Sequence, residues 1–352
     1  MKRSAGRCMN FWRNTAAAKR PRQTEKGAAG KAPPVKNMAK IIGPALPNIP
    51  WQEKPAGWRY PVWRYTQNPI ITRNDLYFAN SIFNSAVVPY KDGFAGVFRV
   101  DTMTRDHTLV TGFSRDAVHW RLEETVIFRG YDPRLCEIEG KFYLSWVNLT
   151  PNGTTIGIAY TTDFQSWTQL EDACYPVARN GVLFPRKIGG EYKLLIRPCD
   201  RGHTPYGDIF LQSSPDLTYW GKYRFVMKPQ KNWEMTKVGA GPTPIETDEG
   251  WLMFYHGVLT SCNGFTYAMG AAILDRDEPS RVLHRADCFL LAPHETYELV
   301  GDVPNVVFPC AALADADTGR IAVYYGGADT VVALAFTTVD ETVDFIKAHD
   351  LL

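Results

Sequence analysis

Three heptads recur along the chain: SRDAVHW at 114–120, TTDFQSW at 161–167 and SPDLTYW at 214–220. Each carries Asp at its third position and Trp at its seventh, and each follows a strand-like run such as TIGIAY or DIFLQS. The tryptophans Trp120, Trp167 and Trp220 stand 47 and 53 residues apart. A repeat of that length, built from short strands and turns, leaves few folds open. Each unit must bury its faces against its neighbours, and four-stranded blades set around an axis meet that demand.

The other half of each repeat supports this reading. FNSAVVPYKDGFAGVFRV, YDPRLCEIEGKFYLSWVN, LFPRKIGGEYKLLIRP, GPTPIETDEGWLMFYHG and FPCAALADADTGRIAVYYGG share one plan. A polar or Pro-containing start leads into an apolar strand, a Gly/Asp turn and a second alternating strand. Five such units fall between about residues 70 and 340, and a helical signal appears only near the end, in DETVDFIKAH. The expected fold is an all-β five-bladed propeller over residues 41–352. The Asp and Trp of the heptads read as turn caps and inter-blade packing, which is evidence for fold and not for chemistry.

Residues 1–40 are different. Up to position 37 they hold ten Lys/Arg against one acid, Glu25, with few apolar residues, so a disordered basic extension is expected. It lacks the apolar core of a secretory signal; a transit peptide or a nuclear signal at KRPR is the other reading. With a formal total of +2, the remainder is net acidic, which argues against a nucleic-acid partner. No run approaches the ~18 apolar residues of a membrane helix. Seven cysteines form no CxxC pair, and seven histidines have no ligand spacing, so neither a metal nor an organic cofactor is implied. Thiols of this kind suit a reducing compartment, and a cytoplasmic protein is expected. The segment NIPWQEKPAGWRYPVWRY should lay Trp51, Trp58 and Trp63 on its own propeller; packing against a second copy in a homo-oligomer is the alternative.

In a propeller the first strand of every blade lines the central channel. The five leading segments read as FNSA, YDPR, FPRK, GPTP and FPCA, and only the second offers a carboxylate. Pro133 cannot donate to a ladder, so it belongs where pairing begins, and that directs Asp132 into the channel. Glycoside hydrolysis usually takes two carboxylates, and Asn84 and Ser85 stand where a second would be expected. Arg179, Arg197, Lys237 and His256 instead fall on first or second strands of neighbouring blades and make a plausible oxyanion pocket. Inorganic phosphate is already a nucleophile, so one acid and a phosphate cradle are a complete set for phosphorolysis.

Long motifs of this chain, among them SIFNSAVVPYKDGFAGVFR, GYDPRL, ARNGVLFPRK, KVGAGPTPIET, YHGVLTSCNG and GDVPNVVFPCAAL, strongly resemble glycoside hydrolase family 130, the β-mannoside phosphorylases. The likeness runs over about residues 45–350 and is nearest to gut-bacterial mannosyl-N-acetylglucosamine phosphorylases. It implies that Asp132 is the general acid, its proton passing through the mannose 3-hydroxyl. It also implies phosphate ligands at Arg179, Asn180, Arg197, Lys237, His256 and Tyr267, and mannose contacts at Asn84, Ser85, Arg99 and Asp329. Asp302 is open between a sugar contact and a structural role. The connection from Trp120 to Asp132 is short for the family; it is expected to border the pocket and to bear on the acceptor. The function implied is inverting phosphorolysis of β-1,4-mannosides, either mannosyl-N-acetylglucosamine or a manno-oligosaccharide, to α-D-mannose 1-phosphate and a shortened sugar, with phosphate as co-substrate. The acceptor is open among N-acetylglucosamine, glucose and mannose. A hydrolase of the same fold and a non-catalytic sugar-binding propeller are the alternatives.

Overall fold

The predicted hairpins pair into five antiparallel sheets in a computed structural model that describes residues 38–199, 207–262 and 264–352. Residues 1–37, with Cys8, and also His203 lie outside that description. Blade 1 spans 79–129, blade 2 131–169, blade 3 178–227 and blade 4 237–285; blade 5 takes three strands from 307–338. In blades 1 to 3 the strands follow in chain order from the innermost outward. In blade 4 the inner strand is split into Lys237–Ala240 and Ile245–Thr247, both paired to Gly250–Ser261.

The fourth strand of blade 5 comes from the other end of the protein. Trp63–Arg64 pairs with Val331–Thr338, with Trp63 opposite Phe336. Trp51 stacks edge-on against both Trp63 and Phe336 at 5.3 and 5.5 Å. The arm thus covers its own propeller, with Trp58 half exposed at the surface.

Burial follows the repeat. Between each pair of adjacent blades lies one apolar cluster, such as Val182, Leu195 and Leu211 of blade 3 against Val238, Trp251 and Met253 of blade 4. The other four interfaces have their own clusters of the same kind. The heptad tryptophans join them: Trp120 packs on Phe98 at 5.0 Å and Trp167 on Phe128 at 5.9 Å. Asp116, Asp163 and Asp216 each accept backbone N–H groups two and three residues on, at 2.8–3.0 Å. The residue after each Asp, Ala117, Phe164 or Leu217, is buried with φ near 60–68°. The carboxylate caps a turn that would otherwise leave donors without partners.

The helical signal is real. Val339–Ala348 forms a helix capped by Thr338, whose hydroxyl accepts from Glu341 N, and it buries Val339, Val343 and Ile346 on one side.

Candidate active site

The inner strands of blades 1, 2 and 3 share one irregularity. Asn84, Asp132 and Asn180 have φ of 47°, 55° and 54°. Each falls in a register jump, between Phe83 and Ala86, Tyr131 and Arg134, and Arg179 and Val182. An extra residue in the left-handed region bends the strand and re-aims one side chain. Asn and Asp bear that conformation at least cost among residues with a Cβ. All three side chains line the same cavity.

This geometry corrects the reading of blade 3. Its inner strand is Ala178–Leu183, and FPRK at 184–187 follows that strand instead of leading it. GPTP at 241–244 occupies the gap in the split inner strand of blade 4. In blade 5 the corresponding jump lies between Pro309 and Ala311.

The Asp-Pro-Arg triplet is now explained. Asp132 enters the cavity, and Pro133, which has no N–H, stands where the ladder skips a bond. Arg134 is buried and works as a strut: Nε donates to Gly241 O of blade 4 at 2.6 Å and Nη1 to Pro133 O at 2.9 Å. Its guanidinium lies 5.4 Å from the Phe308 ring.

The cavity holds about 610 Å³. Asn84, Arg99, Asp132, Arg179, Asn180, Arg197, Lys237, Tyr267, Asp302 and Asp329 all reach its wall. Ser85 and His256 do not, being fully buried behind it. His256 meets Arg197 instead, Nε2 to Nη1 at 2.8 Å.

On the side of blades 1, 2 and 5 the wall carries the carboxylates Asp101, Asp132, Asp302 and Asp329 together with Arg99 and Arg105, and Arg99 gathers two of them. Nε and Nη2 of Arg99 donate to the two oxygens of Asp101 at 2.8 and 2.9 Å, and Nη1 donates to Asp132 Oδ1 at 3.0 Å. Burial works against the guanidinium charge, but Asp132 and Asp101 outweigh it and hold the pKa above its ordinary value. Asn84 Nδ2 donates to the same Asp132 Oδ1 at 2.7 Å. Both donors use one oxygen, so a proton on Asp132 belongs on Oδ2. Burial pushes the Asp329 carboxyl up to about 7, with Arg99 opposing and Asp132 adding to the rise.

On the side of blades 3 and 4 the charges are cations. Arg179 and Arg197 are direct cross-strand partners. Nε of Arg179 donates to Tyr131 Oη at 3.2 Å, and its Nη1 donates to Cys199 O. Burial, with Arg179 adding to it, lowers the Arg197 pKa. Burial and then Arg197 push the His256 imidazole well below its usual value, so it is neutral. A neutral ring that accepts from Arg197 at Nε2 carries its proton on Nδ1. Lys237 lies 4.5 Å over the Phe265 ring.

Two glycines make room for this packing. A Cβ on Gly239 would fall 2.5 Å from the His256 ring and 2.7 Å from Arg197 Nη1, and one on Gly326 would fall 2.1 Å from Asn84 Oδ1.

Sequence reasoning missed Asp101, Arg105, His107, Tyr131, Phe265 and Phe308 in the wall. Asp101 and His107 face each other across the second and third strands of blade 1, with His107 Nδ1 2.9 Å from Asp101 Oδ1. Tyr131 carried a usable signal, since it directly precedes Asp132. The Trp120–Asp132 connection contributes no wall residue between 121 and 130; most of it is the outer strand Arg121–Arg129 of blade 1.

A sequence profile of glycoside hydrolase family 130, described as β-1,4-mannooligosaccharide phosphorylase, matches residues 45–348. Over 327 residues the chain is 56% identical to the β-1,4-mannooligosaccharide phosphorylase of Ruminococcus albus, covering 88% of this chain and 98% of that protein. It is 27% identical over 338 residues to the 4-O-β-D-mannosyl-D-glucose phosphorylase of Bacteroides fragilis, 82% of this chain and 83% of that one. Among solved structures, the β-1,2-mannobiose phosphorylase of Listeria innocua with β-1,2-mannobiose aligns with a TM-score of 0.73 and 25% identity, covering 82% of this chain and 99% of the other.

Proposed function

The chain belongs to glycoside hydrolase family 130, the β-1,4-mannooligosaccharide phosphorylases, and from that premise we propose that it is an inverting phosphorylase acting on β-1,4-mannosides. Inorganic phosphate attacks the anomeric carbon of the terminal mannose from the α face as the C1–O4 bond breaks. The proton of Asp132 goes to the departing oxygen by way of the mannose 3-hydroxyl. The products are α-D-mannose 1-phosphate and a sugar shorter by one residue.

Arg197 carries this reading. It is 4% exposed, its Nε has no hydrogen-bond partner among the described residues, and its Nη1 meets a neutral imidazole. Buried cations are normally paired with an anion, and a guanidinium presents a fork that suits phosphate oxygens. In this reading Arg179 and Lys237 share the load, with Asn180 and Tyr267, since all four line the same cavity. Asn84, Arg99 and Asp329 are left for mannose. His256 supports Arg197 from behind, and Ser85 is buried next to Asn84 in the same strand.

The proposed reaction takes no metal and no organic cofactor, because phosphate is its own nucleophile. Ligand atoms of Asp287, Cys288 and His349 lie within 4.8 Å of one another, but these residues are away from the cavity wall. A reducing, cytoplasmic setting is part of the proposal, on the wide spacing of the seven cysteines, which form no CxxC pair. No described helix is long and apolar enough to cross a membrane.

The deciding experiment incubates the enzyme with β-1,4-mannobiose, with and without phosphate. Mannose 1-phosphate formed only with phosphate is the expected result. Free mannose in both tubes would make the protein a hydrolase, and no product from any mannoside would make it a binder.

A further inference from the structure

The cavity wall changes character from floor to mouth. Asn84, Asn180 and Arg197 at the floor are 2–4% exposed. At the mouth, the side chains of Arg105 and Asp302 are 65% and 33% exposed, and Phe265 is 39% exposed. A sugar chain therefore enters with its terminal mannose innermost, and the sugar that leaves lies toward the mouth.

Two features meet it there. Arg105 reaches from the turn between the second and third strands of blade 1 to Asp302 in the loop leading to blade 5, Nη1 to Oδ2 at 3.1 Å. Neither end is loose. The turn is tied by Thr102, Thr104 and Asp106 through side-chain bonds of 2.8–3.0 Å, and Arg105 itself has φ of 67°. Asp302 accepts from Asn80 Nδ2 at 2.6 Å and Ser81 Oγ at 3.1 Å, and its N–H donates to Thr330 Oγ1 at 2.8 Å. This answers whether Asp302 is structural: it is the anchor of a clasp. On the blade 4 side the Phe265 ring stands on the hairpin Gly250–Ser261 and Gly264–Leu274, braced by Lys237.

We propose that the Arg105–Asp302 clasp and the Phe265 ring together form the recognition surface for the leaving sugar, which deepens the reading of this site as a mannoside phosphorylase. The ion pair engages Nη1, and a guanidinium has four further N–H donors for sugar hydroxyls. The ring offers an apolar face to the C–H face of a pyranose. The occupant is a neutral pyranose rich in hydroxyls, mannose or glucose at the end of a chain. An acidic sugar would compete with Asp302 for Arg105.

The test uses full-length Arg105→Ala, Arg105→Lys and Phe265→Leu. Arg105 and Phe265 are exposed enough that a matching melting temperature will certify the fold. In reverse synthesis from mannose 1-phosphate, Arg105→Ala should raise the acceptor KM about ten- to a hundredfold, the usual cost of a lost charged hydrogen bond. The KM for mannose 1-phosphate and that for phosphate in the forward reaction should stay within about twofold, and Arg105→Lys should restore part of the acceptor affinity. An unchanged acceptor KM, or a parallel rise in phosphate KM, would overturn the proposal. Should the wild type show no phosphorolysis, the functional reading fails separately, and the same variants are titrated calorimetrically with mannobiose. Weaker binding in Arg105→Ala then supports the clasp, and equal binding removes it.

Discussion

Blades 1 and 2 and the segment 302–329 supply four carboxylates to the cavity wall, Asp101, Asp132, Asp302 and Asp329, whereas blades 3 and 4 supply none among the described residues. Both sides start from the same backbone device, an extra left-handed residue in an inner strand. Blades 1 and 3 even share the same pair, Asn84 with Arg99 and Asn180 with Arg197, on the inner strand and the strand beside it. What differs is the company each arginine keeps, and the Asp that takes the bulge position in blade 2. Arg99 is neutralised inside the protein by Asp101 and Asp132. Arg197 faces an uncharged His256 and a second arginine, and no carboxylate bonds it among the described residues. One bulged repeat unit thus puts a carboxylate into the cavity from blade 2 and an arginine pair from blade 3.

The largest effect that would sharpen this contrast is on Asp132. Asp132→Asn should lower turnover of mannobiose about a thousand- to ten-thousandfold, in the upper range for general acid catalysis. Phosphate should still raise the melting temperature, because the cationic side is intact. A mannoside with a nitrophenolate leaving group needs little protonation and should recover part of the rate. Retention of more than about a tenth of the mannobiose rate would move the acid role elsewhere, with Asp329 next in line.

Arg179→Ala tests the other side. The phosphate KM should rise about ten- to a hundredfold. In the wild type, phosphate at a hundred times its Kd should stabilise the fold by about 2.7 kcal/mol, and thermal shift should show that gain shrinking in the variant. Equal phosphate stabilisation in both proteins would show that the cationic side is not the receptor.

The two tight glycines offer a matched pair with smaller effects. Gly239→Ala presses on His256 and Arg197, and should raise phosphate KM several-fold with kcat little changed. Gly326→Ala presses on Asn84, which holds Asp132, and should lower kcat with phosphate KM little changed. The opposite assignment, or both parameters moving together in both variants, would break the division of labour.

The smallest effect concerns stability. Asp329 has its pKa raised by burial to about 7, against an ordinary value of 3.8. The folded state thus binds the extra proton, and stability is full below about pH 4 and falls as pH rises through about 7. Asp329→Asn removes the titration, so its melting temperature relative to wild type should be higher at pH 8 than at pH 5. An equal difference at both pH values would refute the assignment.

The blades were legible in the sequence because a two-residue side-chain period and a capped turn are local properties. Asp116, Asp163 and Asp216 could be read as caps from the heptads alone. Asp132 was legible for a related reason, since a proline fixes where a ladder must skip. Blade 3 differs from its sequence reading because FPRK carries the same Pro-containing signature as the leading segments of other blades, while the inner strand is Ala178–Leu183 with its bulge at Asn180. A proline beside a strand does not say on which end of it the proline lies. Arg105, Asp302 and Phe265 come from two hairpin turns and a loop that are far apart in sequence and meet only when the ring is complete. His256 was assigned to the wall because its strand was right, but alternation along that strand puts the ring behind Arg197.

The pairing of Trp63–Arg64 with Val331–Thr338 has a consequence for how the protein is made. Blade 5 cannot be completed until the strand Val331–Thr338 leaves the ribosome, although its outer strand Trp63–Arg64 emerges long before. For most of synthesis that early strand has no partner, and an unpaired edge invites association with other chains. Ring closure spans about 270 residues, and contacts that distant form slowly. Asn84 and Gly326 are brought face to face by the same closure. Activity should therefore appear late and all at once in refolding, after the blades have already acquired their secondary structure.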